Sequence, residues 1–168
     1  TSHWRTCLCG ATQTAENHKY THEADKMCDI CNAEREVIGA MLVDEDGNKV
    51  YYLNGEKQNI TELVKIDGIW YYINNSVWDK TSKTLHKLAG KWFFVENGTW
   101  SARTTIVEYK GKNFYVQGGK WESRNDIVKL DGKYYFIKGG KWDKTLDSLH
   151  KLNGKWFYIE EGIWSSKL

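Results

Sequence analysis

The chain has 168 residues, 40% of them hydrophobic and 27% charged, with a formal net charge of +2. That balance excludes a disordered chain and a strongly basic nucleic-acid binder, and no apolar run approaches the ~18 residues that a membrane-spanning helix needs. Aromatic residues make up 14%, with nine Trp, and proline is absent, so aromatic packing, aromatic binding surfaces or both are expected.

The first segment is Cys/His-rich. Cys7, Cys9, Cys28 and Cys31 are the only cysteines, and residues 1–36 carry four Lys/Arg against six Asp/Glu. A nucleic-acid-binding zinc finger should be basic, and this piece is mildly acidic. Cys28-x-x-Cys31 lets two thiolates reach one tetrahedral ion; Cys7-x-Cys9 does so less comfortably, and His18 is able to replace one thiolate. The expectation is a small zinc-ribbon-like head over residues 1–38, with structural zinc held among Cys7, Cys9, His18, Cys28 and Cys31. Two disulfides are one alternative, and free or mixed thiols another. Either way the role is structural, because a segment this short and poor in large apolar residues needs a staple. The run His18-x-Tyr20-x4-Asp25-x2-Cys28-Asp29-x-Cys31-x3-Arg35 resembles short Cys/His modules found in tandem in surface proteins of gut Gram-positive bacteria.

From residue 39 the chain is a repeat. The glycines Gly47, Gly68, Gly90, Gly111, Gly132 and Gly154 are spaced by 21, 22, 21, 21 and 22 residues. Each opens a run such as Gly68-Ile-Trp-Tyr-Tyr-Ile73 or Gly154-Lys-Trp-Phe-Tyr-Ile159. At a lag of 64 residues, Asp67–Thr104 matches Asp131–Leu168 at 20 of 38 positions. Strands such as Leu63-Val-Lys-Ile66 precede Asp67-Gly68, and Asp-Gly or Asn-Gly supplies the positive φ angles of a type I′ hairpin turn. A second turn follows in most units, as at Asn97-Gly98 and Gly118-Gly119, and then a Trp.

A unit of this length cannot bury its own apolar face and must stack on neighbours. The expected fold is all-β: six β-hairpin units over residues 39–168, wound as a solenoid with about three hairpins per turn. A β-trefoil would repeat every two hairpins, a lag this sequence does not favour. Strand alternation places Tyr71/Ile73, Phe93/Val95, Phe114/Val116, Tyr135/Ile137 and Phe157/Ile159 on one face, suited to the core. Trp70/Tyr72, Trp92/Phe94, Asn113/Tyr115, Tyr134/Phe136 and Trp156/Tyr158 fall on the other, with Asn113 partly buried.

The pattern Gly-x-Trp-Tyr-Tyr-Ile followed by Asn/Gly-Gly-x-Trp resembles the cell-wall-binding repeat superfamily. Its members include choline-binding modules, glucan-binding repeats of bacterial glucosyltransferases and the repetitive C-terminal regions of large clostridial toxins. The resemblance covers residues 40–168 and implies a β-solenoid that attaches non-covalently to wall choline, polysaccharide or host glycans. It further implies a secreted or cell-surface protein of a Gram-positive-type bacterium, and no signal-peptide pattern opens the chain, as in a mature secreted protein. Choline-binding members open each unit on Gly-Trp, whereas these units open on Leu-Val-Lys-Ile or Leu-His-Lys-Leu. Stacking of a sugar's apolar face on a Trp survives that difference better than a cation cage.

The candidate ligand-binding residues are Trp78, Trp100, Trp121, Trp142 and Trp164 after the second turns, each beside Asp, Ser or Glu, together with Trp70, Trp92 and Trp156 on the long strands. The bland reading of any of these is inter-unit packing. His86 and His150 occupy equivalent positions, which favours packing or surface roles over catalysis. No Gly-x-Ser-x-Gly, phosphate loop or His-Glu-x-x-His is present. The sequence therefore points to a non-catalytic module whose partner is a glycan or cell-wall polysaccharide rather than a nucleic acid or a membrane. A stalk or spacer without a small ligand is the alternative, and pairing of edge strands between copies stays open.

Overall fold

In a computed structural model the protein is described over residues 2–3 and 16–165. Among these residues every regular element is a strand and every strand pairing is antiparallel. Residues 1–68 with 73–78 form one compact unit, and residues 69–72 with 79–168 a second.

The head contributes β1 (Ser2–His3) and β2 (Glu16–Asn17), which pair Ser2 with Asn17 and His3 with Glu16. Backbone bonds such as Cys28 N–H to the Ala33 carbonyl at 2.9 Å order the rest of the head, and one arginine ties its loop together. The Arg35 guanidinium lies over the Tyr20 ring at 3.7 Å and donates to the carbonyls of Asp25, His22 and Glu23 at 2.7, 3.1 and 2.9 Å. The Asp25 carboxylate accepts from the backbone N–H of His22 at 2.9 Å. Tyr20, Asp25 and Arg35 of the head motif thus tie one loop together by stacking and charge-assisted hydrogen bonds.

The body is a β-hairpin-repeat solenoid of the anticipated kind. Each repeat holds an opening strand, a long strand and a two-residue short strand. The first repeat consists of β3 (Ala40–Glu45), β4 (Asn48–Leu53) and β5 (Glu56–Lys57). The second is β6 (Glu62–Ile66), β7 (Ile69–Asn74) and β8 (Val77–Trp78). The third is β9 (Thr84–Leu88), β10 (Lys91–Glu96) and β11 (Thr99–Trp100). The fourth is β12 (Thr105–Tyr109), β13 (Lys112–Gln117) and β14 (Lys120–Trp121). The fifth is β15 (Asp126–Leu130), β16 (Lys133–Lys138) and β17 (Lys141–Trp142), and the sixth is β18 (Ser148–Leu152), β19 (Lys155–Glu160) and β20 (Ile163–Trp164). Both residues of each hairpin turn have positive φ, as at Asp67 (48°) and Gly68 (87°), which is the type I′ geometry expected of Asp-Gly and Asn-Gly.

Neighbouring repeats are joined through the short strand, which bonds two long strands at once. β14 pairs with β13 of its own repeat and with β10 of the one before; β17 does the same with β16 and β13. In the first compact unit β8 likewise bonds β7 and β4. The second-turn residue at the head of each short strand completes the joint. The Gly119 carbonyl accepts the backbone N–H of Phe94 at 2.8 Å and the indole Nε1–H of Trp100 at 3.3 Å, both from the preceding repeat. Gly140 receives Tyr115 and Trp121 in the same way, and Gly162 receives Phe136 and Trp142. The N–H of each of these glycines donates to the connecting loop of its own repeat, at Arg103, Arg124 and Leu146. The polar loops between repeats therefore serve as acceptors for the next turn.

The core corrects the division of faces read from strand alternation. Ile73, Val95, Val116, Ile137 and Ile159 are fully buried, as expected, but Tyr72, Phe94, Tyr115 and Phe136 on the opposite face are buried too. Burial divides along the strand rather than across it. The second half of a long strand is covered on both faces, and its first half is open, so Tyr71, Phe93 and Phe114 are only half-buried. Asn113 is half-buried, as inferred. His86 stacks on Tyr72 at 3.9 Å and His150 on Phe136 at 4.6 Å, and each imidazole Nε2 meets a serine hydroxyl, of Ser82 and Ser148 respectively. The two histidines are packing residues, and burial pushes the pKa of His86 down.

Gly119 has no room for a side chain: a Cβ there would lie 2.1 Å from the Ser101 carbonyl and 2.5 Å from Trp100 Nε1, whereas at Gly111 nothing lies within 4 Å. Gly119→Ala is expected to cost about 3 kcal/mol or more in urea unfolding. Gly111→Ala carries only left-handed backbone strain, about 1–2 kcal/mol.

Candidate functional site

The long strand of one repeat and the hairpin of the next bring aromatic side chains together at the joint of the third and fourth repeats and at that of the fifth and sixth. At the joint of the third and fourth repeats four rings close on one another. Trp92 meets Tyr109 at 5.3 Å and Trp121 at 6.3 Å; Phe114 meets Tyr109 at 6.0 Å and Trp121 at 5.7 Å. Interplanar angles run from 69° to 85°, so each ring presents an edge to its neighbour. The register that sets Trp92 opposite Trp121 positions two walls, and β12 and β13 supply Tyr109 and Phe114. All four rings are half-buried and pack on the buried side chains of Leu85, Phe94, Val107 and Val116. The outcome is a box of four rings packed edge to face on one another and seated on the core. Ring faces carry negative potential and attract cations, and two of these faces already meet an ammonium group: Lys110 lies over Tyr109 at 5.2 Å and Lys141 over Phe114 at 5.6 Å.

Other joints carry fewer rings. Trp164 meets Tyr134 at 5.2 Å and Phe157 at 6.0 Å, and Trp142 meets Tyr135 at 5.1 Å. Lysines lie over the long-strand rings from across the hairpin: Lys129 over Tyr134 at 5.4 Å and Lys151 over Trp156 at 5.9 Å.

Of the residues singled out from the sequence, Trp92 and Trp121 are brought together in the box. Trp78, Trp100, Trp121, Trp142 and Trp164 do not stand free at turn edges. All are half-buried, and Trp100, Trp121 and Trp142 commit their indole N–H to the next repeat. Trp70 and Trp156 are exposed, 39% and 65%. Sequence reasoning missed Tyr109 and assigned Phe114 to the core. A signal for Tyr109 was present: the last residue of the opening strand is Ile66, Leu88, Leu130 or Leu152 in the neighbouring repeats and aromatic in the fourth alone.

In the head, His18, Cys28 and Cys31 gather with their ligand atoms within 4.8 Å of one another, and Cys31 Sγ lies 3.3 Å from His18 Nδ1. Cys28 and Cys31 are free thiols, so they do not form the disulfide alternative. Burial pushes the Cys28 thiol up, but hydrogen bonds from the Ile30 and Cys31 backbone, from His18 and from the Lys19 backbone outweigh it and bring it to about 6. A thiolate at neutral pH is the form that binds metal. Cys7 and Cys9 lie outside the described residues.

Residues 63–79 match the family model for the choline-binding repeat. This supports, on the second repeat, the resemblance to cell-wall-binding repeats. None of the curated proteins matches the chain. Among solved structures, an alternansucrase in complex with isomaltononaose is 23% identical with a TM-score of 0.42, over 76% of this chain and 10% of that one. CbpJ from Streptococcus pneumoniae is 17% identical with a TM-score of 0.42, over 76% of this chain and 45% of that one. Choline binding protein F from Streptococcus pneumoniae is 18% identical with a TM-score of 0.40, over 93% and 53%. The chain thus spans between a tenth and about half the length of these proteins.

Two substitutions separate the box from the staple beneath it. Tyr109→Leu installs the residue that neighbouring repeats carry and is expected to move unfolding free energy by less than about 1 kcal/mol. Trp121→Phe keeps a ring but deletes the bond to the Gly140 carbonyl, which is expected to cost about 1–2 kcal/mol in the same urea titration.

Proposed function

We propose that this chain is a non-catalytic binding module of a secreted or cell-surface bacterial protein, holding a glycan or cell-wall polymer through aromatic residues repeated along the hairpin array. The four-ring box of Trp92, Tyr109, Phe114 and Trp121 carries the reading. It gathers four half-buried rings on one spot, packs on the core, and sits in an array whose second repeat matches the choline-binding repeat. Trp70, Tyr134 and Trp156 supply further exposed stacking planes, and weak equivalent sites along one polymer add by avidity.

A spacer without a small ligand is the second reading. The indole–carbonyl bonds of Trp100, Trp121 and Trp142 favour it, because they give those rings a structural duty. Titration calorimetry with choline chloride, isomaltotriose and a solubilised wall preparation separates the two. Binding weakened at least tenfold by Tyr109→Leu is expected. Absence of heat with every one of these probes would leave the spacer.

The head reads as a structural zinc site. His18, Cys28 and Cys31 fit three corners of a tetrahedron, since zinc at about 2.3 Å from sulfur and 2.0–2.1 Å from nitrogen brings its ligand atoms about as close as Cys31 and His18 stand. Cys7 or Cys9 is the fourth ligand in this reading, and the ion would contribute to folding rather than to chemistry. Elemental analysis is expected to give one zinc per chain, with a lowered melting temperature after chelation and in Cys28→Ser. A metal-free chain whose thiols all react at once with a thiol reagent would refute it.

A further inference from the structure

The fourth repeat departs from its neighbours at one position that bears on ligand chemistry. The second residue of the long strand is Trp70, Trp92, Tyr134 or Trp156 in the other aromatic repeats and Asn113 in this one. The register that sets Trp92 against Trp121 sets Asn113 against Trp142. In the first pair two indoles meet edge to face at 6.3 Å. In the second an amide stands where an indole would, and a cleft of about 380 Å3 opens beside Trp142.

The rim of this cleft is cationic. Lys112, Lys141 and Lys144 line it, and all three are exposed; the Lys141 ammonium lies over the Phe114 ring at 5.6 Å, which leaves Lys112 and Lys144 for the rim. Asp143 also lines it and is held ionised, its carboxylate accepting from the hydroxyl and N–H of Thr145 at 2.7 and 2.9 Å, bonds that keep its pKa below the usual carboxylate value, so the rim lysines outnumber one carboxylate. Glu108, across the hairpin from Asn113, is not part of the lining. Trp142 is fixed in place, its Nε1–H on the Gly162 carbonyl at 3.1 Å and Tyr135 edge-on at 88°. A fixed stacking plane, an amide that can donate and accept, and two ammonium groups on one rim make a pre-organised site for a ring that bears negative charge. The volume is in the range of small-molecule sites.

We infer that this cleft is a subsite for an acidic sugar residue. The sugar ring lies on the Trp142 indole, the Asn113 amide bonds its hydroxyls, and its carboxylate or phosphate is held by Lys112 and Lys144. The inference rests on the reading of the array as a glycan-binding module and adds to it a second site, of opposite charge preference to the aromatic box.

The test uses trigalacturonate as the carboxylate probe, glucose 6-phosphate as the phosphate probe and isomaltotriose as the neutral control, each titrated into the full chain by calorimetry at low and high salt. Asn113→Trp installs the side chain that the third repeat already accommodates opposite Trp121, so the fold is expected to persist, and the cleft is filled. Binding of at least one anionic probe is expected, weakened by added salt, at least tenfold weaker in Lys112→Gln/Lys144→Gln and abolished in Asn113→Trp. The stronger of the two anionic probes identifies the charged group. Equal affinity for isomaltotriose and the anionic probes, anionic binding that survives Asn113→Trp, or no anionic binding would overturn the proposal. Binding to the aromatic box is read separately, as the choline or isomaltotriose response that Tyr109→Leu removes and Asn113→Trp leaves intact.

Discussion

One contact recurs at the joints of the second compact unit, and the array depends on it: an indole N–H and a backbone N–H from one repeat converge on a glycine carbonyl of the next. The approach is close enough that the glycine cannot carry a Cβ. A two-strand hairpin is marginal alone in water, and the short strand turns each pair of neighbours into a continuous ladder. The indole shields those hydrogen bonds and covers the second half of the long strand, which is why burial there is complete on both faces. The exception supports the rule. The first repeat ends on Lys57 where others end on Trp, and the turn that follows it, in the same compact unit, carries Ser76 in place of glycine. With no indole to admit, a side chain is tolerated.

The same joint makes binding chemistry cheap to vary. The structural requirement falls on the short-strand Trp and the second-turn glycine, and leaves the first half of the long strand half-open. Ring, amide or lysine can be exchanged there without disturbing the ladder. The fourth repeat exploits this on both sides. Its Tyr109 and Phe114 close the aromatic box with the third repeat, and its Asn113 opens the lysine-rimmed cleft toward the fifth. Repeats that are alike in their joints can thereby differ in what they hold.

The head follows a separate logic. Its regular structure is slight, so its order rests on polar contacts, and His18, Cys28 and Cys31 gather among them. Where it meets the first repeat the contacts are again side-chain specific. Lys26 pairs with Glu56 at 3.1 Å, and His22 lies 5.3 Å from the Tyr52 ring. Tyr52 donates to Glu45, a bond that pushes the phenol up to about 12, and the Lys57 ammonium at 2.8 Å, together with that phenol, holds the carboxylate low.

Hairpin strands, type I′ turns and the repeat length were legible in the sequence because they are local. Asp-Gly and Asn-Gly set the backbone angles of a turn whatever surrounds it, and regularly spaced glycines count the repeats. The Cys28-x-x-Cys31 pair with His18 was legible for the same reason, since the reach of a short loop needs no tertiary knowledge. Which aromatic rings are free was not legible. Strand alternation assumes that one face is covered, and here the next repeat covers both faces of half a strand, so Tyr72 and Phe94 are buried while Trp156 is open. Nor could a list of tryptophans reveal that Trp100, Trp121 and Trp142 spend their N–H groups on the following repeat, or that Tyr109 completes a box. Those are relations between residues some twenty positions apart, decided by the offset with which one hairpin stacks on the next, and that offset exists only once the repeats have packed.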